Sequence, residues 1–209
     1  MKKERGQKKI RGKENRKRNK FILICAEGNN KTETNYFKRF RISDTNIYFT
    51  HGNETDPEKM MERLLQEAAE LDMDPEYGDH AYCLVDGDVN PQKDTQIASA
   101  DRIASKSPIA KQIVSNPCFE VWYYCHFQYS TRQYRSSSEA VDAFKRDCMD
   151  NYTKERRDMF DALSDKLETA CQNAERLRAY NTNAGHKAHT ADFQPSTEVD
   201  MIIREITGQ

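Results

Sequence analysis

Two aspartates separated by one glycine, Asp86-Gly87-Asp88, are the residues best suited to chemistry in this sequence. They follow an apolar run, residues 80–85, that has the length of a buried strand. Residues i and i+2 of a strand point the same way, so the two carboxylates should converge. A divalent cation would relieve their repulsion, and oxygen ligands suit Mg²⁺ or Mn²⁺. Gly87 would let a metal-bound phosphate approach the backbone closely.

A third carboxylate, Glu27, follows the first apolar run of the chain, residues 20–25. The segment between Glu27 and Asp86 has the pattern of a β-α-β-α unit, which is typical of a parallel sheet. Functional groups gather at the carboxyl ends of the strands in such sheets. We therefore expect Glu27 to join Asp86 and Asp88 around one metal cluster.

Two more acids and a lysine are candidates for the same edge of the sheet. Glu33 lies in the first turn of a predicted helix, where it either joins the cluster or only complements the helix dipole. Lys31 either holds a substrate phosphate or is merely exposed. Glu120 lies near the start of a helix that follows the third apolar strand, 109–114, and could reach the same edge. Alternatively, it belongs to ordinary helix N-terminal chemistry, with Asn116 or Ser115 as the cap and Pro117 in the first turn.

The elements that must position these residues alternate along the first part of the chain. Hydrophobic patterning and turn residues predict strands at 20–25, 46–50, 80–85 and 109–114. The same signals predict helices at 32–41, from Asp56-Pro57 onward, and near 92–104. This order predicts a mostly parallel sheet with helices on its faces.

The chain becomes helical after residue 116. Helices are predicted at 117–127, 137–150, 153–180 and 195–206, with a polar loop at 181–193 between the last two. Apolar residues in 153–180 alternate at three- and four-residue steps, but the seam is too short to indicate a coiled coil. We expect these helices to pack inside one chain.

Charge divides the sequence into a basic arm and an acidic body. Residues 1–20 contain 11 Lys or Arg against two Glu, which gives +9, and the rest has 22 basic and 32 acidic residues, which gives −10. Such an arm attracts polyanions without choosing a sequence, and Lys17 and Arg18 are expected to contact substrate phosphates. A disordered, solubilising tail is the alternative.

Composition excludes several classes of protein. Apolar residues make up 36% of the chain and charged residues 32%, and no apolar run approaches the ~18–20 residues of a membrane span. We expect no membrane association and no secretory leader. Several of the six cysteines lie within apolar runs and none forms a C-x-x-C pair, which is typical of buried thiols in a reducing compartment. The predicted location is the cytoplasm.

The chain resembles the RloB-like proteins in four ordered motifs between about residues 21 and 206. The motifs are Cys25-Ala26-Glu27-Gly28 with Lys31-Thr32-Glu33-Thr34-Asn35-Tyr36-Phe37, Val85-Asp86-Gly87-Asp88, Ser115-Asn116-Pro117-Cys118-Phe119-Glu120-Val121-Trp122 with His126-Phe127, and Pro195-Ser196-Thr197-Glu198-Val199. Each motif is weak alone, and their shared order makes the resemblance specific. The sequence departs from the pattern at Ala26, between Cys25 and Glu27, and at Asn29-Asn30, which extend the turn.

The resemblance implies a Toprim-like fold, the Mg²⁺ module of topoisomerases, primases and overcoming-lysogenization-type nucleases. It implies that Glu27 is a metal ligand or the general acid or base, and that Asp86 and Asp88 are metal ligands. It implies that Glu33 and Glu120 match acidic positions that serve a second metal in nuclease relatives. It also implies a role in restriction or anti-phage defence beside an ATPase subunit.

Together these observations predict an α/β fold with three parts. A Toprim-like, mostly parallel sheet flanked by helices should occupy residues 21–130, and a helical region at 131–209 should pack on this core. The basic arm should occupy residues 1–20.

The predicted function is Mg²⁺-dependent hydrolysis of phosphodiesters in DNA or RNA, with two Mg²⁺ or Mn²⁺ ions and Glu27, Asp86 and Asp88 as catalytic residues. tRNA is a possible target by analogy with Toprim effectors, and the state of oligomerisation, a homo-oligomer included, stays open. One alternative is a catalytically silent subunit that binds nucleic acid or regulates a defence complex. Another is nucleotidyl transfer, which would use the same acids.

Overall fold

Five strands form the sheet of the computed structural model, which describes residues 18–28 and 31–208, the side chain of Lys31 excepted. The strands are β1 (Lys20–Ala26), β2 (Thr45–Phe49), β3 (His80–Asp86), β4 (Ala110–Asn116) and β5 (Ser196–Thr197). The first four coincide with the predicted apolar runs to within two residues at each end. The strands β1, β3 and β4 lie inside the sheet and are largely buried, as central strands of a parallel sheet should be, whereas β2 lies at its edge and is only partly buried.

The strand order is β2-β1-β3-β4-β5. The first four strands are parallel, and only β5 is antiparallel to its neighbour β4. The α/β class and the mostly parallel sheet are therefore confirmed. The order reverses between β1 and β3, and ligands of such sheets bind at the carboxyl ends of the strands beside this switch point. Glu27 directly follows β1 and Asp86 ends β3, so both residues lie at the switch point.

Eight α-helices surround the sheet in the part of the chain that the structure describes. They are α1 (Lys31–Phe37), α2 (Pro57–Glu70), α3 (Pro91–Ala104), α4 (Glu120–Cys125), α5 (Ser137–Asp147), α6 (Met159–Leu163), α7 (Leu167–Asn183) and α8 (Val199–Thr207). The predicted cap of α2 is confirmed, because the Asp56 carboxylate accepts from two backbone N–H groups and Pro57 takes the first position. Ser136 caps α5 through the N–H of Glu139.

Two hydrophobic cores cover the two faces of the sheet. One lies under α2 and α3 and takes alternate residues of β1 and β3, such as Leu23 and Cys83. The other takes the intervening residues, such as Ile24 and Leu84, and packs them against α1, α4, α5, α7 and α8. This second core and the pairing of β5 with β4 both join residues from either side of the predicted boundary at residue 130.

The predicted helix at 153–180 is wrong in its extent. Residues 148–158 form a loop that buries the ring of Tyr152, and α6 and α7 are separated by a 3-10 turn, Ser164–Lys166. The residues that repeat at helical spacing do face the core, but the seam bends at that turn. The last predicted helix, 195–206, is also shorter, because Ser196–Thr197 pairs with the sheet before α8 begins.

The predicted start of the helix after β4 is also wrong. The Asn116–Pro117 peptide is cis, α4 begins only at Glu120, and no side chain caps it. Asn116 is instead part of β4, and its side-chain amide donates to the carbonyls of Thr190 and Ala191 at 3.0 and 3.1 Å. The Asn116 side chain, which was expected to cap α4, thus connects the 181–198 segment to the sheet through hydrogen bonds.

All six cysteines are free thiols, and five of them are buried. Their burial agrees with the interpretation of cysteine as a small hydrophobic residue here. Within residues 18–28 and 31–208, no helix has both the length and the apolar character that crossing a bilayer requires.

Candidate active site

The carboxyl edge of the sheet brings together five acids that were predicted to meet there. Glu27 follows β1, Glu33 lies in the first turn of α1, Asp86 ends β3, Asp88 follows two residues later, and Glu120 begins α4. The charges of the other four all act on the carboxyl of Asp86. Residues from distant parts of the chain therefore form one cluster, which we name the carboxylate centre.

Asp86 lies in the middle of this carboxylate centre. Burial raises the pKa of Asp86 well above its ordinary value, and the charges of Glu33, Glu120, Glu27 and Asp88 raise it further, in that order. Burial disfavours the ionised form, and like charges nearby act in the same direction. The protein therefore holds Asp86 where an added cation would favour its ionised form.

Glu33 and Glu120 are the two acids that are most deeply buried, each with 3% of its surface exposed. Burial and the charge of Glu120 raise the pKa of Glu33 to about 8, although Lys154 lowers it somewhat. Glu120 accepts a hydrogen bond from the hydroxyl of Tyr152 at 2.8 Å, and Lys154 Nζ lies 3.9 Å from the same oxygen. Glu33 therefore lies buried in the carboxylate centre, and it also occupies the first turn of α1, where an acid complements the helix dipole.

Lys93 joins the other two acids of the centre. Its Nζ donates to Glu27 Oε2 at 2.8 Å and Oε1 at 3.1 Å, and to Asp88 Oδ2 at 2.8 Å. Burial alone would lower the pKa of Lys93, but these two carboxylates raise it. Lys93 is thus a buried ammonium group that bridges two of the three predicted catalytic acids.

The turn after β3 sets the position of Asp88. Asp88 has a left-handed backbone, with φ of +56°, and its N–H donates to the carbonyl of Pro117 at 2.8 Å. Its second carboxylate oxygen accepts from Ser137 Oγ at 2.7 Å. The prediction that strand alternation aligns Asp86 with Asp88 is wrong, because the chain has already left the strand at Asp88. They share the edge because the turn folds back toward α4 and α5.

Gly87 has a structural role in that turn. A Cβ at this position would lie 2.7 Å from Cγ of Asn116 and 2.8 Å from its Oδ1, which is closer than real Cβ contacts. The same Oδ1 accepts from the N–H of Val89 at 3.3 Å. The glycine therefore makes room for the asparagine that anchors the turn.

The predicted substrate-binding residues are not brought to the carboxylate centre in the described part of the chain. Arg18 precedes β1, at the opposite edge of the sheet from Glu27, and its guanidinium pairs with the buried Asp79 at 2.6 Å. Its charge therefore supports the start of β1. Lys17 and the side chain of Lys31 lie outside the described residues, so their predicted phosphate contacts stay predictions.

Four residues of this site were missed by the sequence analysis, and one of them had a signal. Lys93 lies in the first turn of α3, where a cation opposes the helix dipole, so its position indicates a specific acidic partner. Helical side chains also point back toward the N-terminus, which here is the carboxyl edge of the sheet. Ser137, Tyr152 and Lys154 come from a helix start and a loop in the C-terminal half, and no pattern in the sequence marks them.

The donor set of the carboxylate centre fits a hard divalent cation. The described residues contain no group of three or more His, Cys, Asp or Glu side chains already arranged to hold a metal ion. The chemistry of the donors is nevertheless that of a Mg²⁺ or Mn²⁺ site, because carboxylate oxygens are the ligands these ions prefer. The raised pKa of Asp86 and the ammonium group of Lys93 between two acids indicate that the centre favours added positive charge.

A second charged cluster joins His189 to Asp101 of α3 and to Glu198, which precedes α8. His189 Nδ1 lies 2.8 Å from Asp101 Oδ2, and its Nε2 lies 3.0 Å from Glu198 Oε2. Burial would lower the pKa of His189, but Asp101 and Glu198 raise it to about 10. Both ring nitrogens of His189 therefore contact carboxylates.

We expect the ion pairs of His189 to make stability depend on pH. The pKa is about 10 in the folded protein and about 6.5 in an unfolded chain, so this contribution is fully present below pH 6.5 and is lost as the pH rises through 10. His189→Gln should lower the free energy of unfolding by about 2–4 kcal/mol at neutral pH. It should also flatten the decline between those pH values.

Urea unfolding at a series of pH values checks this prediction, with His51→Gln as the control because the His51 side chain is 93% exposed. Equal stability of His189→Gln and wild-type protein at pH 7 would contradict the assignment.

Comparison with known proteins agrees with the motifs. A family model described as RloB-like protein matches residues 22–206, which include every acid of the carboxylate centre. No curated protein matches the chain, and no solved structure matches it. The family match covers most of the chain, so the protein belongs to the RloB-like family.

Proposed function

We propose that this protein is a metal-dependent nuclease that hydrolyses phosphodiesters in DNA or RNA with bound Mg²⁺ or Mn²⁺. The observation that carries the proposal is the carboxylate centre, in which five acids from separate elements meet at the switch point of a parallel sheet. Five ionised carboxylates this close together repel one another, and a bound cation would offset that repulsion. A phosphate substrate would also be repelled by these acids in the absence of metal.

The acids have distinct positions for this chemistry. Glu27, Asp86 and Asp88 lie at the switch point of the sheet and would hold the ions together with Glu33 and Glu120. When bound, a pair of divalent ions activates water and stabilises the leaving oxygen. Glu27 is partly exposed and can accept the proton of the attacking water or return it to the leaving group.

The two lysines would position these acids. Lys93 holds Glu27 and Asp88 through direct hydrogen bonds, and Lys154 lies beside Glu120. Both ammonium groups would also offset negative charge on a phosphate. Their contribution is electrostatic and is already in place before substrate binds.

The broader setting is part of the same proposal. The parallel sheet with acids at its carboxyl edge supports a Toprim-like module, and the RloB-like family supports a role in anti-phage defence beside an ATPase. The six free cysteines support a reducing cytoplasm as the location.

One observation favours a second candidate function. Lys93 already supplies a positive charge between Glu27 and Asp88, so the centre is partly neutralised without metal. A catalytically silent subunit that only binds nucleic acid would need no more than this.

A cleavage assay separates the two functions. The purified chain, with and without an ATPase subunit, is incubated with labelled DNA, RNA and tRNA in Mg²⁺, Mn²⁺ or EDTA. We expect products with either ion, none in EDTA, and none from Glu27→Gln. Glu62→Gln, an exposed acid of α2, serves as the matched control and should cleave normally.

Binding without any metal-dependent product would support the silent subunit instead. Adding nucleoside triphosphates tests nucleotidyl transfer in the same reactions, because transfer would yield extended products. Cleavage that persists in Glu27→Gln would remove this residue from the proposed active site.

A further inference from the structure

A positively charged groove runs beside the edge strand β2. Two adjoining cavities of about 790 and 750 Å³ share Lys38, Arg41 and Phe49 in their walls. We name the combined depression the β2 groove. It is defined here by Asn35, Lys38, Arg41, Tyr48, Phe49 and Arg157.

The charged side chains that line the β2 groove are all positive among the described residues. Within the described residues, neither cavity is lined by an Asp or Glu, and Lys38, Arg41 and Arg157 have no carboxylate within 4.0 Å. Arg41 is held in place by its own backbone, because its Nη1 donates to the carbonyls of Lys38 and Phe40. The remaining cation on this wall, Arg39, pairs with Asp161 at 3.6 Å. The groove therefore presents three exposed cations that are available to an anion.

An aromatic ring accompanies these cations. Lys38 Nζ lies 5.5 Å from the centroid of the partly exposed Phe49 ring, whereas the ring of Tyr48 packs edge-on against Phe21 on the other face of the sheet. Cationic side chains beside an accessible aromatic ring are typical of surfaces that bind single-stranded nucleic acid, because an unpaired base can stack on the ring. A duplex hides the faces of its bases and gains less from such a surface.

The β2 groove leads directly to the carboxylate centre. Its inner wall includes Ala26 and Gly28, the residues on either side of Glu27 in sequence. A chain of phosphates lying along Lys38, Arg41 and Arg157 would therefore pass within reach of the proposed catalytic acids. The acids repel phosphates, whereas the groove attracts them, so the two surfaces together can fix where the backbone enters.

We propose that the β2 groove binds a single-stranded segment of DNA or RNA and guides it to the carboxylate centre. The proposal rests on the nuclease function above, since it assigns the substrate path of that same site. It predicts that removal of the three exposed cations weakens binding and reduces its dependence on salt. Each phosphate contact to a single strand contributes about 0.7 to the salt slope, so three lost contacts should lower it by about 2.

The test compares the triple variant Lys38→Gln, Arg41→Gln, Arg157→Gln with a matched control, Arg102→Gln, Lys106→Gln, Lys111→Gln. The control removes three exposed cations near the opposite edge of the sheet. Fluorescence anisotropy measures binding of labelled single-stranded DNA, single-stranded RNA and duplex DNA in EDTA at several salt concentrations. All six positions are exposed, so equal thermal midpoints should confirm that both variants fold.

We expect the groove variant to bind single strands about tenfold or more weakly, with the smaller salt slope, and the control to bind like wild type. Wild-type protein should prefer single strands to duplex, and the DNA and RNA arms identify which of them it prefers. Equal binding by the groove and control variants would overturn the proposal, as would equal binding of duplex and single strand. A dimer that the groove variant loses, with nucleic-acid binding unchanged, would assign the groove to a second copy of the chain.

The cleavage assay keeps this inference distinct from the nuclease function. If wild-type protein cleaves and the groove variant cleaves equally well, the groove proposal fails while the nuclease stands. If wild-type protein binds through the groove but yields no product with any metal, the nuclease fails while the groove remains a nucleic-acid site.

Discussion

Asp86→Asn should abolish metal-dependent cleavage, with a loss of about 10³-fold or more, and at the same time make the metal-free protein more stable. The two effects have one cause. Burial raises the pKa of Asp86 well above its ordinary value, and the charges of four other carboxylates raise it further. Asparagine keeps the shape of the side chain but removes the charge that a cation would bind. The same change relieves the repulsion, which should add about 1–2 kcal/mol to the free energy of unfolding at pH 8.

Thermal unfolding and cleavage measured on the same preparations check both halves of this prediction. A gain of that size corresponds to roughly 2–8 °C for a chain of this length. Mg²⁺ should raise the midpoint of wild-type protein and leave that of Asp86→Asn nearly unchanged. Asp142→Asn, an exposed acid of α5, controls for the general effect of removing one negative charge. A variant that is less stable in EDTA, or that still cleaves, would show that Asp86 has another role.

Lys93→Met should destabilise the metal-free protein and slow cleavage. Methionine keeps much of the aliphatic volume but leaves Glu27 and Asp88 without the ammonium group that joins them. Breaking such a buried pair is costly. Because the Asp88 side chain is 42% exposed, solvent screening reduces the expected loss to about 1–3 kcal/mol. Cleavage should fall by about 10²-fold, because the two acids lose their common support.

Urea unfolding in EDTA and in Mg²⁺ provides a readout that a merely structural lysine would not affect. We expect Mg²⁺ to stabilise Lys93→Met more than wild-type protein, because the ion restores the lost positive charge. Lys106→Met, at an exposed position just beyond α3, serves as the control and should respond to Mg²⁺ like wild type. Equal stability of Lys93→Met and wild type in EDTA would exclude Lys93 as a positioning residue.

Two acids of the centre, Glu27 and Asp86, could be predicted because each directly follows a strong local signal. The runs at β1 and β3 are short and apolar, and the residues that follow them must lie at the carboxyl edge of a parallel sheet. Glu27 and Asp86 therefore followed from topology alone. The cap at Asp56 could also be predicted, because it depends on short-range hydrogen bonds that involve few residues.

The other parts of the site depend on long-range contacts, and these leave no local pattern. Tyr152 contacts Glu120 across 32 residues of chain, from a loop at residues 148–158 that overlaps two of the predicted helices. The predicted cap Asn116 failed for the same reason, because its amide is used by carbonyls more than 70 residues away. A local capping preference does not determine the structure where tertiary hydrogen bonds use the same side chain.

Calorimetric titration of the metal-free protein with Mg²⁺ and Mn²⁺ tests most directly whether the carboxylate centre binds divalent ions. We predict saturable uptake of about two ions per chain, reduced in Glu27→Gln and lost in the double variant Asp86→Asn, Asp88→Asn. Uptake should be unchanged in Asp142→Asn. The absence of saturable binding by either ion, or undiminished binding by the double variant, would contradict the account.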